Sequence, residues 1–184
     1  FPSFNLNFDF NPSINRFVNI VDGKENVNDS RNIRLGIGSG YWGDKWINYW
    51  FNISAINNYS KSSINPNNIT RFWNYNANFN MEMKLPKKWY INLDGDIDFY
   101  QKTSVFANQR NVVLLNGSVK KSIDKKESWQ VQFRVNDIFN QNLGINRNIS
   151  SNFISETTQQ AIRRFGMLAL TYNFSKNGAE PKGF

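Results

Sequence analysis

RFWNYNANFNMEMKL, residues 71–85, alternates almost without a fault. One set of positions reads Trp73, Tyr75, Ala77, Phe79, Met81, Met83 and Leu85; the interleaved set reads Asn74, Asn76, Asn78, Asn80, Glu82 and Lys84. A period of two places the first set on one face of a β-strand and the second on the other. The stretch is far longer than the usual strand of about five or six residues. It is about as long as a strand needs to cross a bilayer at a steep tilt, with some excess at the rims. An apolar face set with aromatics and backed by amides and charges predicts a strand between lipid and a water-filled lumen.

Working outward, alternation and breakers divide the chain into about nine strands. Phe4, Leu6, Phe8 and Phe10 alternate with Asn5, Asn7 and Asp9, and Asn11-Pro12-Ser13 is expected to end that run. Weaker alternation covers residues 16–21. The next strand, 33–42, carries Gly36, Gly38 and Gly40 on one face, where a neighbouring backbone or loop has room to approach or the strand to bend. Gly43-Asp44-Lys45 reverses the chain into Ile47, Tyr49, Phe51, Ile53 and Ala55, set against Asn48, Asn52 and Ser54. Pro86-Lys87-Lys88 then leads to Trp89, Ile91, Leu93, Ile97 and Phe99, interleaved with Asn92, Asp94, Asp96 and Asp98. Further strands are expected at 112–122, 129–139 and 164–174. Only 155–162 has the look of a helical turn.

The connections alternate as well. Those at 43–45, 86–88 and 123–128 are short and carry lysine; those at 22–30, 60–70, 102–109 and 140–162 are longer and rich in Asn, Ser and Gln. Short turns at one end and long loops at the other are the connection pattern of an outer-membrane barrel. Lipid supplies no hydrogen bonds, so only a closed sheet satisfies the backbone there. Nine strands leave two open edges, and the odd count favours a piece of a larger barrel.

Composition agrees. The 184 residues include no cysteine and no histidine, which removes disulfides, thiolate metal sites, and the commonest general base and metal ligand. No apolar run approaches the roughly twenty residues of a membrane helix, and mean hydropathy is negative. A barrel escapes such averages because every second residue is polar. Aromatics make up 16% of the chain, high for a soluble domain of this polarity. No signal peptide opens it, so a mature chain or an internal piece is expected. The net charge of +8 invites a nucleic-acid reading, but the lysines collect at chain reversals such as Lys87–Lys88 and Lys120, Lys121, Lys125 and Lys126. They form no stripe on one element. No nucleic-acid partner is expected; anionic head groups fit turn lysines better.

FNLNFDFNPSINRFVNIVDG (4–23), VNDIFNQNLGINRNISSNFISE (135–156) and RRFGMLALTYNF (163–174) resemble the end of the β-barrel in TonB-dependent receptors of the Bacteroidetes type, the outer-membrane β-barrel family. The resemblance covers nearly the whole chain in one register. It implies an all-β, antiparallel up-and-down transmembrane segment belonging to a plugged barrel of about twenty-two strands. Residues 1–174 would be its C-terminal portion and 175–184 a polar tail. It further implies nutrient uptake across the outer membrane, with outer-membrane lipid, the rest of the barrel and its plug as partners. The energy-coupling protein TonB would be reached through an N-terminal part that this chain does not show. Leu168, Leu170, Tyr172 and Phe174 are similar to the terminal-strand signal that barrel-assembly machinery recognises.

The candidate site is a lumen wall. Asn74, Asn76, Asn78, Asp94, Asp96, Asp98 and Arg134 are the expected lining, with the loops at 60–70 and 140–162 as ligand contacts. Asp94-Gly95-Asp96-Ile97-Asp98 resembles the start of a calcium loop, but Phe99 stands where its glycine belongs and no glutamate fills the twelfth position. Strand parity accounts for the three aspartates, so no metal or other cofactor is expected. Without histidine, and without a seryl motif such as G-x-S-x-G, no enzyme is expected either. Trp42, Trp46, Tyr49, Trp50, Trp73, Trp89, Tyr90 and Trp129 are expected to form interfacial girdles. Two rivals stand beside this reading. One is a soluble β-sandwich or adhesin that binds carbohydrate and packs its apolar faces in a dry core. The other is a structural or secretion barrel without transport activity.

Overall fold

A computed structural model describes residues 3–43, 45–67, 69–101, 111–142, 144–149 and 154–174. The expected loop at 102–109 and the tail 175–184 lie outside them. The strands are β1 (Ser3–Val21), β2 (Lys24–Trp42), β3 (Ile47–Ser62), β4 (Thr70–Leu85), β5 (Trp89–Tyr100), β6 (Val112–Ser122), β7 (Trp129–Asn136), β8 (Ile145–Ile149), β9 (Ile154–Thr158) and β10 (Phe165–Tyr172). Eight of them form one antiparallel up-and-down sheet in the order β1-β2-β3-β4-β5-β6-β7-β10. β8 and β9 pair as a separate hairpin carried in the connection between β7 and β10. The fold is all-β, as the alternation predicts, and among the described residues the sheet is open: β1 pairs only with β2, and β10 only with β7.

Register keeps the two faces continuous from strand to strand. One apolar row runs Phe8, Ile37, Ile53, Ala77, Ile97 and Val113 through six strands. Another runs Ile47, Met83, Ile91, Val119, Phe133 and Leu168. A slip of one residue in any strand would break these rows by turning that strand inside out. Gly95 sits in the apolar face directly opposite Phe79, and a Cβ there would lie 2.5 Å from the Phe79 ring. The ring thus occupies the space that the glycine leaves.

No second layer among the described residues covers the apolar face. Among the described residues Phe72 is the one large hydrophobic side chain that is buried, while Phe8 is 72% and Leu168 75% exposed. An apolar band of this extent does not stay in water. Aromatics mark both ends of it: Tyr41 stacks on Tyr49 and Trp129 meets Tyr172 toward the short turns, and Trp73 stacks on Tyr75 toward the long loops. From Trp73 to Leu85 the strand runs roughly 40 Å at about 3.3 Å per residue. At a tilt of roughly 40° that is about 30 Å along the membrane normal, the thickness of a bilayer core. The sandwich alternative fails on this point, because it requires those side chains to be packed against another sheet.

Several expected boundaries are corrected. Pro12 does not end a strand; it pairs with Ile33 inside β1. In an antiparallel pair only part of a strand's N–H groups point at a given neighbour, so a proline need not break the ladder with β2. The expected loop at 22–30 is instead a two-residue turn, Asp22 (φ 49°) and Gly23 (φ 75°), between strands of 19 residues each. Both central residues at positive φ match the twist of a β-hairpin. The stretch at 155–162 is not helical: β9 occupies its first part. The expected loop at 140–162 therefore contains a hairpin. With eight strands in the sheet, the odd-count argument falls away; the two open edges remain.

Candidate functional site

The polar face is built by the same parity. Rows of facing residues run Asp9, Gly36, Ser54, Asn76, Asp98; then Asn7, Gly38, Asn52, Asn78, Asp96; then Asn5, Gly40, Trp50, Asn80, Asp94, Asn116. The three β2 glycines present no side chain to this face, and Asp9 and Asn7 of β1 lie against Gly36 and Gly38. A Cβ on Gly38 would come 2.9 Å from the Asn7 amide nitrogen.

Asn74, Asn76, Asn78, Asp94, Asp96, Asp98 and Arg134 all stand on this one face. Asn76 donates to Asp98 across the strand pair at 2.8 Å, and Asn78 donates to Asn76 at 3.2 Å. Asp94 accepts from Asn116 at 2.7 Å and lies 3.6 Å from the Arg134 guanidinium. Arg134 also donates through Nε to Asn136 at 2.9 Å. The three aspartates are spaced along one strand and two of them face protein donors. Among the described residues no three carboxylates converge on a point.

The sheet adds polar residues that parity alone would have identified. Glu82, Tyr90, Asn92, Ser118, Lys120 and Gln132 line a concavity of about 150 Å³ near the short turns. In it Gln132 donates to the Ser118 hydroxyl at 3.0 Å, and the Lys120 ammonium lies 4.8 Å from the Tyr90 ring centroid. Trp42, Trp50 and Tyr90 share the polar parity, which corrects their expected place in a lipid-facing girdle. Phe72 also takes polar parity, and there it is buried.

At the long-loop end an uncharged knot ties β1, β2 and β3 together. Asn26 and Asn28 are fully buried. Both donate to the Asn19 side-chain carbonyl, at 3.1 and 2.8 Å, and Ser62 donates to Asn26 at 2.6 Å. The Val27 N–H donates to the Ser63 hydroxyl at 2.8 Å, and the Ser63 N–H donates back to the Val27 carbonyl at 2.9 Å. The loop after β3 is thereby pinned to the β1–β2 hairpin. After β7, buried Asp137 accepts the backbone N–H groups of Gln141 and Asn142 at 2.8 and 2.9 Å. Its own N–H donates to Asn116 at 2.8 Å, tying that loop to the polar face.

The short-turn end is held by charge. Lys88 pairs with Glu127 at 3.2 Å and donates to the Lys125 carbonyl, while Lys121 donates to the Lys87 carbonyl. Tyr90 donates to the Glu127 carboxylate at 3.1 Å. In the turn after β6, the Trp129 N–H donates to Asp124 at 2.9 Å and holds its carboxyl below the usual carboxylate range. At the open edge, Leu168, Leu170 and Tyr172 of β10 project from the apolar face, and Phe174 stacks on Tyr172 with ring centroids 6.3 Å apart. All four are exposed.

A sheet with one lipid-ready face, one amide-lined face and aromatic borders matches what comparison with protein families finds. The model of an outer membrane protein beta-barrel family matches residues 11–172. Neither the curated proteins nor the solved structures contain a match to the chain. The chain belongs to the outer membrane protein beta-barrel family, and its place is the lipid of the cell outer membrane.

Proposed function

We propose that the chain is the C-terminal part of the barrel of a TonB-dependent receptor that takes up solutes across the outer membrane. The observation that carries this reading is a sheet of eight strands with both edges open and one unbroken polar face. In hydrocarbon each open edge must be paired, so further strands complete the wall. The polar face, from Asn74, Asn76 and Asn78 to Asp94, Asp96, Asp98 and Arg134, lines the passage. The loops at the long-loop end meet the incoming solute. The plug and the segment that engages TonB belong to the rest of the parent protein. The part played by this chain is to line and bind, without catalysis. Exposed β10, with Leu168, Leu170, Tyr172 and Phe174, is the strand that barrel-assembly machinery reads.

Mass spectrometry of heat-modifiable outer-membrane bands tests the proposal. Peptides of this chain are expected in a band several times its 21.5 kDa, and that band is expected to cross-link to TonB. A band at 21.5 kDa would overturn the receptor reading. So would a large band that never cross-links to TonB; that result would favour a structural or secretion barrel.

A further inference from the structure

We infer that the rim formed by the turns at 86–88 and 123–128 is a binding site for the phosphodiester headgroup of an anionic phospholipid. The inference rests on the membrane location and is independent of any transported solute. Residues 84–88 and 120–128 carry seven lysines against two carboxylates, a net of +5 in a chain whose total is +8. Register brings the two stretches side by side, with Trp89 opposite Lys121 and Tyr90 opposite Lys120. Strand pairing has therefore gathered most of the excess positive charge on one rim, with Lys84 and Lys120 on its polar side and Lys121 on its lipid side.

The neutralisation of that charge is incomplete. Among the described residues Lys88 is the only one of these lysines with a carboxylate within 4 Å, through Glu127. The other bridge, from Lys121 to the Lys87 carbonyl, fixes an ammonium group without cancelling it. Lys87, Lys125 and Lys126 are exposed. Lys121 is the informative residue, because its parity puts it on the apolar face, between Trp89 and Val131. A lysine there extends its aliphatic stem over acyl chains and carries its charge to the headgroup level. Its ammonium lies 5.6 Å from the Trp89 ring centroid, at the depth where indoles mark the interface.

A fixed cation beside an indole, backed by free lysines on the turns and with lipid in front, has the chemistry to hold a lipid phosphate. A dissolved anion would have no use for a lysine on the lipid face. Near an anionic surface each such lysine contributes about fivefold in affinity.

The test uses the full parent protein, purified in mild detergent, with native mass spectrometry of added phosphatidylglycerol and phosphatidylcholine. Wild type is expected to retain phosphatidylglycerol at least tenfold more tightly. Lys121→Gln combined with Lys87→Gln and Lys125→Gln should abolish that preference, while Lys121→Arg should keep it. Unchanged heat-modifiable migration of the triple variant shows that the barrel has still formed. Equal retention of the two lipids by wild type would overturn the inference. So would a preference that survives in the triple variant, or one that inorganic phosphate at millimolar concentration removes.

Discussion

Arg134 of β7 reaches diagonally over β6 to within 3.6 Å of Asp94 on β5, so an ion pair spans three strands of the polar face. Both side chains keep about a third of their surface open to solvent, 37% for Arg134 and 31% for Asp94. Solvent screens such a pair, and its coupling should be about 0.5 kcal/mol. A double-mutant cycle with Arg134→Gln and Asp94→Asn, read by urea unfolding in lipid vesicles, measures it. A coupling well above 1 kcal/mol would mean that the pair is far drier than its exposure implies.

The contact of Phe79 with Gly95 makes a prediction on the opposite face. Gly95→Ala adds a methyl where the ring now lies and should cost about 1 kcal/mol. Pairing it with Phe79→Leu frees the space and should recover most of that loss. Phe79→Arg on the same face should cost about 2–4 kcal/mol near the bilayer midplane, whereas Asn78→Arg one position away should cost far less. Equal penalties at 78 and 79 would contradict the assignment of faces.

The face assignment was legible in the sequence because side-chain parity on a strand is geometric and does not depend on what the strand packs against. Boundaries were harder. Asp22-Gly23 is a strong hairpin signal, yet it lies among Asn, Ser and Lys residues whose composition reads as loop. Pro12 reads as a breaker until its register with Ile33 is known, and register is a property of the strand pair. The aromatics show the opposite error. Counting in twos from Gly36 and Gly40 reaches Trp42, and counting from Asn48 and Asn52 brackets Trp50, so both belong with the polar set. Chemical type outweighed parity there. The hairpin of β8 and β9 is too short for alternation to declare it.

At the long-loop end, Asn26→Ala removes the acceptor of the Ser62 hydroxyl and the donor to Asn19 within a buried site. Asn19 keeps the Asn28 donor, but the buried Ser62 hydroxyl loses its acceptor, which costs about 2 kcal/mol. The loss should fall on the loop after β3, seen as faster proteolysis and amide exchange at 63–67, with the transmembrane rows unchanged. Exchange that rises evenly along β1 to β4 would show instead that the knot supports the whole sheet.

Asp124 gives a pH dependence of known sign. Its folded-state carboxyl titrates below the ordinary value of 3.8, because the charged form accepts the Trp129 N–H. The stabilisation is therefore complete above the unfolded value and is lost as the pH falls through the folded one. The turn should loosen only in strong acid, and Asp124→Asn should remove that acid dependence. Carboxyl carbon shifts followed through a titration in micelles would report it; a midpoint at or above 3.8 would contradict the turn geometry.

The knot around Asn26 and the lysine clasp at the other end of the strands are fastened by different chemistry. Amides and hydroxyls carry no proton to gain or lose near neutrality and no charge for salt to mask, so the knot around Asn26 holds its shape through acid, brine and chelator alike. The lysine clasp opposite is ionic, and its Lys88–Glu127 pair weakens as salt rises. The corner of the sheet around Asn26 is thus indifferent to the salt around it, while the lysine rim is not.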